Sequence, residues 1–205
     1  MNRPLRSNDI PLGIPCSVTS LREEANSVNQ LEISLIRAIV QEDRGAMAQL
    51  YDIYYPRLQR FLVGIIQDRE LVAELINDVM MVVWQKAAGF RMQSLVSSWI
   101  FGIAYRRAMD GIRKDQRYRT VLNEVPRQTP TDSSLNESIT ARDLNVFMKV
   151  LTPEQLAVAQ LTFEFGYSYP EIAQILQIPV NTVKTRMFHA RKSMQKAYGL
   201  GVTDK

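Results

Sequence analysis

From Leu31 onward, apolar residues recur at helical spacing, and no alternating run of the kind a half-buried strand needs interrupts them. Leu31 to Gln41 reads as a short amphipathic segment. Between Met47 and Ile66, the residues Leu50, Tyr54, Leu58, Phe61 and Ile65 follow one another at steps of four, four, three and four. That is one face of a helix, and Pro56 within it removes an internal hydrogen bond and predicts a bend. Asp68 to Phe90 predicts a second long helix, and Ser97 to Arg117 a third with Ser97 or Ser98 as N-cap. Between about Tyr118 and Ser138 the period breaks amid Pro126, Pro130 and several Ser, Thr and Asn, which predicts a linker. A second helical block follows over 139–198, and 199–205 is left as a tail. Residues 1–30, with Pro4, Pro11 and Pro15 near the start, read as a flexible arm. The expected architecture is all-α, two small helical domains (31–117 and 139–198) joined by a flexible linker (118–138).

The second block carries the more readable motif. Ser168, Tyr169, Pro170 and Glu171 have the spacing of a capping box, with proline in the first turn where no N–H is needed. The helix it opens turns Ile172, Ile175 and Leu176 inward. The turn Gln177-Ile178-Pro179-Val180 then leads into a last helix, and the small Ala173 faces Val183 where the two cross. This pattern predicts a helix-turn-helix (winged-helix-like) DNA-binding domain, with its motif at about 169–188 and the following turn. Many such turns carry glycine where Gln177 stands, and a left-handed glutamine there costs up to about 1 kcal/mol.

The final helix sets the direction of that motif. At about 100° per residue, Val183, Met187, Ala190 and Met194 fall within a roughly 60° stripe that must face the core. Thr185, His189 and Lys192 lie opposite, flanked by Thr182, Phe188, Lys184 and Arg191. From Val180 to Tyr198 there are five basic residues and no acid. A solvated surface could carry that charge. Together with the capping box and the turn, it points to a helix entering a major groove, with base contacts near its start and phosphate contacts further along.

The first block adds a second basic surface. On the helix from Ser98, Arg106, Arg113 and Arg117 project within about 40° of one another, with Trp99 on the same side and Arg107 and Lys114 in the next row. Basic side chains with an aromatic nearby suit single-stranded or distorted nucleic acid, although Trp99 also fits a core position. The preceding helix differs in kind. Glu74, Asn77, Asp78, Met81 and Gln85 share one face of it. DNA would repel that acidic stripe, so it faces solvent or receives a basic protein partner.

Composition narrows the chemistry. The chain has 205 residues, 46% hydrophobic and 22% charged, within the globular range. One cysteine, Cys16, and one histidine, His189, exclude an internal disulfide, a multi-cysteine zinc site and a two-histidine metal site. No carboxylate cluster lies near either basic surface, so no catalytic residue, metal or cofactor is expected. The longest apolar stretch, Val79 to Trp84, has six residues, far short of the roughly 20 a helical span needs. The first residues lack the apolar core of a secretory signal. A cytoplasmic protein without membrane insertion is expected. A net charge of +4 is mild, and only its distribution points to a partner.

Three segments resemble a known family. Val72-Ala73-Glu74-Leu75-Ile76-Asn77-Asp78-Val79-Met80-Met81-Val82-Val83-Trp84 resembles the polymerase-binding segment of bacterial sigma factors, AEDLVQEVFLxxW. Trp99-Ile100-Phe101-Gly102-Ile103-Ala104, followed by Asp110 and Arg113-Lys114, is similar to their promoter-opening helix. Leu151-Thr152-Pro153-Glu154-Gln155, Tyr169-Pro170-Glu171-Ile172-Ala173 and Asn181-Thr182-Val183-Lys184-Thr185-Arg186 resemble their C-terminal DNA-binding segment. Possession of only these two parts is similar to the extracytoplasmic-function (ECF) branch. Three motifs in order are far more specific than a lone helix-turn-helix. Met80 stands where the family often has Phe, Asn77-Asp78 replace Gln-Glu, Arg106 replaces a usual Asn, and His189 a frequent Arg.

The resemblance implies a sigma factor that binds core RNA polymerase and directs promoter recognition, with 31–117 as region 2 and 139–198 as region 4. It implies polymerase docking by Glu74, Asn77, Asp78, Met81 and Gln85. Opening and reading of the −10 element would fall to the loop from Phe90 to Ser97 and to Arg106, Arg107, Arg113, Lys114 and Arg117. Reading of the −35 element would fall to Thr182, Lys184, Thr185, Arg186, Phe188, His189 and Lys192. It further implies an anti-sigma factor as partner. A stand-alone helix-turn-helix regulator of duplex DNA is the alternative, and it leaves the acidic stripe unexplained.

Overall fold

The structure is a computed structural model that describes residues 18–66, 68–122 and 150–197. Among the described residues it forms seven α-helices: α1 (Val18–Val40), α2 (Arg44–Ile65), α3 (Arg69–Lys86), α4 (Val96–Leu122), α5 (Pro153–Phe163), α6 (Tyr169–Leu176) and α7 (Val180–Ala197). No strand occurs among these residues, so the helix-turn-helix stands there without a wing. The all-α expectation holds.

Most helix ends follow from local chemistry. Asp43 caps α2 by accepting from Gly45 and Ala46 N–H at 2.8 and 3.1 Å, and Asp68 caps α3 through Glu70 and Leu71 at 2.9 and 3.2 Å. Helix α2 runs unbroken through Pro56, which is exposed. Thr152 and Gln155 exchange reciprocal bonds at 3.2 and 3.3 Å at the start of α5. At the start of α6, the Glu171 carboxylate accepts from Ser168 N–H at 2.8 Å. Gln177 ends α6 in the left-handed conformation (φ 54°, ψ 47°), so the cost anticipated for a non-glycine residue is incurred here.

Two starts differ from expectation. Helix α4 begins at Val96, and Ser97 and Ser98 sit buried in its first turn instead of capping it. The cap comes from another helix: Asn29 Oδ1 of α1 accepts from Val96 N–H at 3.4 Å. Helix α1 begins at Val18, inside the expected arm, because Leu21-Arg22-Glu23-Glu24-Ala25 is a run of helix formers with no proline after Pro15. Helix α4 also continues to Leu122, past the expected end of the first block. The rest of the arm (1–17), the remainder of the linker (123–138), 139–149 and the tail lie outside the described residues.

Helices α1 to α4 pack around Leu50, Tyr54, Leu58, Phe61, Ile76, Val83, Ile100 and Phe101, all fully buried. Each large apolar side chain so buried contributes about 1.5–3 kcal/mol. Inside this layer the Arg57 guanidinium meets the buried Glu32 carboxylate at 3.1 Å and lies over the Tyr54 ring, 4.8 Å from its centroid.

The buried cluster does not stop at the first block. It continues without a break into Leu161, Tyr167, Ile172, Ile175 and Val183 of the second. The Phe165 ring lies 4.7 Å from Phe101 and 6.2 Å from Phe61, and Tyr167 lies 6.0 Å from Phe101. The two sequence blocks thus meet along a packed seam of α2 with α5 and α4 with α6.

Candidate nucleic-acid and protein interfaces

Helix α3 turns Val72, Ile76, Val79 and Val83 into the core, and its opposite face emerges beside α2. Glu74, Asn77, Asp78, Met81 and Gln85 are all exposed there, as the period requires. Leu71 is also exposed, at the edge of this face. Tyr51 of α2 donates its hydroxyl to Asn77 Oδ1 at 2.9 Å. Next to this bond runs a groove of about 470 Å³ lined by Arg44, Met47, Tyr51, Asn77, Met80, Met81 and Trp84. Sequence reasoning found the polar stripe but missed the groove, because its α2 wall can be known only once α2 and α3 pack side by side. The arrangement sets the exposed carboxylates of Glu74 and Asp78 on the same helix as a largely apolar groove whose one charged lining residue is Arg44, a make-up suited to a protein partner that inserts an apolar side chain.

Helix α4 carries the second predicted surface. Arg106, Arg107, Arg113, Lys114 and Arg117 are all exposed along it. Arg113 pairs with Asp110 at 3.5 Å, a contact open to solvent and of little energetic weight. Although Arg106 is exposed overall, partial desolvation by its neighbours lowers its guanidinium below its ordinary value, and Asp110 opposes that shift. Trp99 is half-buried, its ring tilted against Phe90 at 5.0 Å, so it serves as a wall between core and surface. The loop before α4 holds Met92 at φ 55°, and Arg37 of α1 donates to Met92 Sδ at 3.6 Å. A cavity of about 300 Å³ separates this loop from the second block. Gln93, Ser94, Ser98, Trp99, Gly102 and Arg106 line one side of it, and Gln174, Ile175 and Gln177 of α6 line the other.

Helix α7 buries Val183, Met187 and Ala190, with Met194 half-buried, as the angular reading requires. Lys184, Thr185, Phe188, His189 and Lys192 are exposed on the opposite side, and Thr182 is half-buried. The Thr185 hydroxyl donates to the Asn181 carbonyl at 2.9 Å, which leaves its oxygen lone pairs facing outward. Phe188 stands against His189 with ring centroids 5.5 Å apart, and Arg191 covers the exposed Phe163 at 6.0 Å. One predicted reader points elsewhere. Arg186 is half-buried and donates to Tyr105 Oη of α4 at 3.4 Å, because it sits at the flank of the apolar stripe and faces the first block.

Among the described residues, no group of His, Cys, Asp and Glu could hold a metal ion, and no helix is long and apolar enough to cross a membrane.

Residues 50–118 match the family model of sigma-70 region 2, and residues 142–194 match that of sigma-70, region 4. The chain is 31% identical over 160 residues to the ECF RNA polymerase sigma factor RpoE of Cereibacter sphaeroides, covering 76% of this chain and 88% of that one. It is 27% identical over 175 residues to the ECF RNA polymerase sigma factor SigK of Mycolicibacterium vanbaalenii, covering 82% and 89%. Two solved structures share the fold. The sigma factor RpoE of Bartonella quintana, in complex with the anti-sigma factor NepR, matches at TM-score 0.60 and 22% identity over 77% of this chain and 98% of that one. CnrH, in complex with the cytosolic domain of CnrY, matches at TM-score 0.62 and 20% identity, covering 83% and 98%.

Proposed function

Since the chain belongs to the ECF family of RNA polymerase sigma factors, which direct promoter recognition, we propose how that work divides among its surfaces. The α3 stripe of Glu74, Asn77, Asp78, Met81 and Gln85 docks on core RNA polymerase, with the adjacent groove taking an apolar side chain. The loop before α4 and the α4 residues Arg106, Arg107, Arg113, Lys114 and Arg117 hold and open the −10 element. Thr182, Lys184, Thr185, Phe188, His189 and Lys192 of α7 read the −35 element, joined by Arg186 once it leaves Tyr105. The chain makes and breaks no bond, requires no metal or nucleotide, and works in the cytoplasm. An anti-sigma factor is a further partner, as in the complexes of the two similar structures.

One observation carries this reading. A single chain presents an acidic, apolar-centred face on α3 and an acid-free basic face on α7, both open to solvent. A stand-alone duplex-DNA regulator has use for the second face only.

Gel filtration of the chain with purified core polymerase is the test. The account expects co-elution in a stoichiometric complex that retards promoter DNA. Separate elution, with tight duplex binding by the chain alone, would support the stand-alone regulator instead.

A further inference from the structure

We propose that Phe163, at the end of α5, is a positioning residue for −35 recognition: its ring holds the Arg191 guanidinium toward a backbone phosphate without neutralising it. This role presupposes the assignment of α7 to the −35 element.

Packing between α5 and α7 brings the two residues together. Ala159 of α5 and Ala190 of α7 are buried in one small cluster with Leu151 and Leu156, and Met194 packs against it. Neither alanine carries more than a methyl group, so the two helices approach closely. Phe163 lies one turn beyond Ala159 on the same face, and Arg191 follows Ala190 directly. In that register the Arg191 guanidinium lies over the Phe163 ring, 6.0 Å from its centroid. Phe163 is itself 64% exposed, so its ring holds no part of the core together.

The choice of a ring decides the charge. A carboxylate at this place would restrain Arg191 and cancel its cation, whereas a ring attracts the cation through its quadrupole and leaves the charge whole. Glu164, the acid next to Phe163 in sequence, turns away to Arg60 of α2 at 3.8 Å. Among the described residues no carboxylate pairs with Arg191, and α7 has no acid of its own. Arg191 is thus restrained yet uncompensated. A long side chain ordered in advance loses less rotamer freedom when it meets a phosphate.

The direction of Arg191 suits that contact. Lys184 and Arg191 are both exposed, seven residues and about 10 Å apart along one flank of α7, roughly 70–90° from the buried stripe. Thr185, His189 and Lys192 occupy the face opposite the stripe. A helix about 10–12 Å across fills a major groove about 12 Å wide, so its flanks meet phosphates when its outer face meets bases. Lys184 and Arg191 then follow one strand, and Phe163 braces the second of them from α5.

The test uses holoenzyme assembled from the full chain and core polymerase, titrated over a range of salt with a promoter duplex it transcribes and with −35 variants of that duplex. Arg191→Ala is expected to reduce the salt slope by about 0.9. Phe163→Leu should weaken binding about two- to fivefold on every −35 variant alike, and add nothing when combined with Arg191→Ala. Phe163→Tyr should keep parental affinity. Phe163→Glu should lower the salt slope at least as far as Arg191→Ala, because it holds the guanidinium and cancels its charge. A Phe163→Leu loss that persists beside Arg191→Ala overturns the proposal, and so does one that appears in core-polymerase affinity instead of DNA binding. A parental salt slope in Phe163→Glu overturns it as well. Lys184→Ala separates the two levels of the account. If it weakens binding while Phe163→Leu does not, the proposal alone falls; if Lys184→Ala and Arg191→Ala both leave affinity and slope unchanged, the assignment of α7 falls with it.

Discussion

Tyr51 and Asn77 are joined by a 2.9 Å hydrogen bond that fixes the polar stripe of α3 to the wall of α2. The bond occupies the Asn77 carbonyl oxygen while the residue itself stays exposed. Met81, 56% exposed, stands on the same stripe and lines the groove, so this face combines oriented polar groups with an apolar anchor. Surfaces of that make-up bind proteins rather than phosphates.

Glu74→Lys combined with Asp78→Lys is expected to weaken core-polymerase binding while leaving the helical fold intact. Both residues are exposed, so the stability change should stay within about 0.5 kcal/mol. Titration of labelled chain with core polymerase, beside a thermal melt, checks the two halves of this statement. Unchanged affinity would remove α3 from the docking surface.

Two substitutions on α7 should give different signatures. Lys184→Ala is expected to weaken binding across all promoters and to reduce the salt slope by about 0.9, the loss of one phosphate contact. His189→Arg should change which −35 sequence is preferred, because arginine pairs with guanine O6 and N7 for about 1–3 kcal/mol. Selection from a promoter library randomised at −35 reads both. A parental consensus kept by His189→Arg would make His189 a bystander.

Arg57→Ala should destabilise the helical unit by about 3 kcal/mol, because it leaves the Glu32 carboxylate buried without its cation. Adding Glu32→Gln to that variant should recover part of the loss, since the orphaned charge is then gone. Chemical denaturation of the three proteins measures this. A loss below about 0.5 kcal/mol would class the pair with solvent-exposed bridges.

Alkaline pH should loosen the core. Burial pushes the Tyr54, Tyr105 and Tyr167 hydroxyls above the ordinary tyrosine range, and the Glu32 carboxylate raises Tyr54 further. Below that range both folded and unfolded chains hold these protons. Above about pH 10 the unfolded chain releases them first, so it binds fewer protons and stability falls as pH rises. Tyr54→Phe should flatten that fall, measured as the denaturation midpoint against pH.

Local chemistry explains what was legible in the chain. Ser168 with Glu171 and the Val183–Met187–Ala190 stripe act within a few residues of one another, so spacing alone revealed α6 and α7, whereas α5, which Thr152 and Gln155 open, was read only as part of the second helical block. The polar stripe of α3 was legible for the same reason. The seam was not. Phe61 and Phe101 fit the apolar faces of their own helices, and nothing local says that Phe165, some 64 residues beyond Phe101, packs against both. Gln160 carries no local signal of its own, and only the tertiary fold brings Gly64 opposite it. Arg186 counted as one basic residue among five on its helix, and only the tertiary fold turns it to Tyr105. The α4 cap escaped notice because Asn29 lies 67 residues away in sequence.

The most direct measurement is run-off transcription with purified core polymerase on a pool of promoter fragments, with and without the chain. The account predicts transcripts from a defined subset of promoters that appear only when the chain is present and that share one −10 and one −35 sequence. Transcription that is absent, or indifferent to the chain, would contradict it.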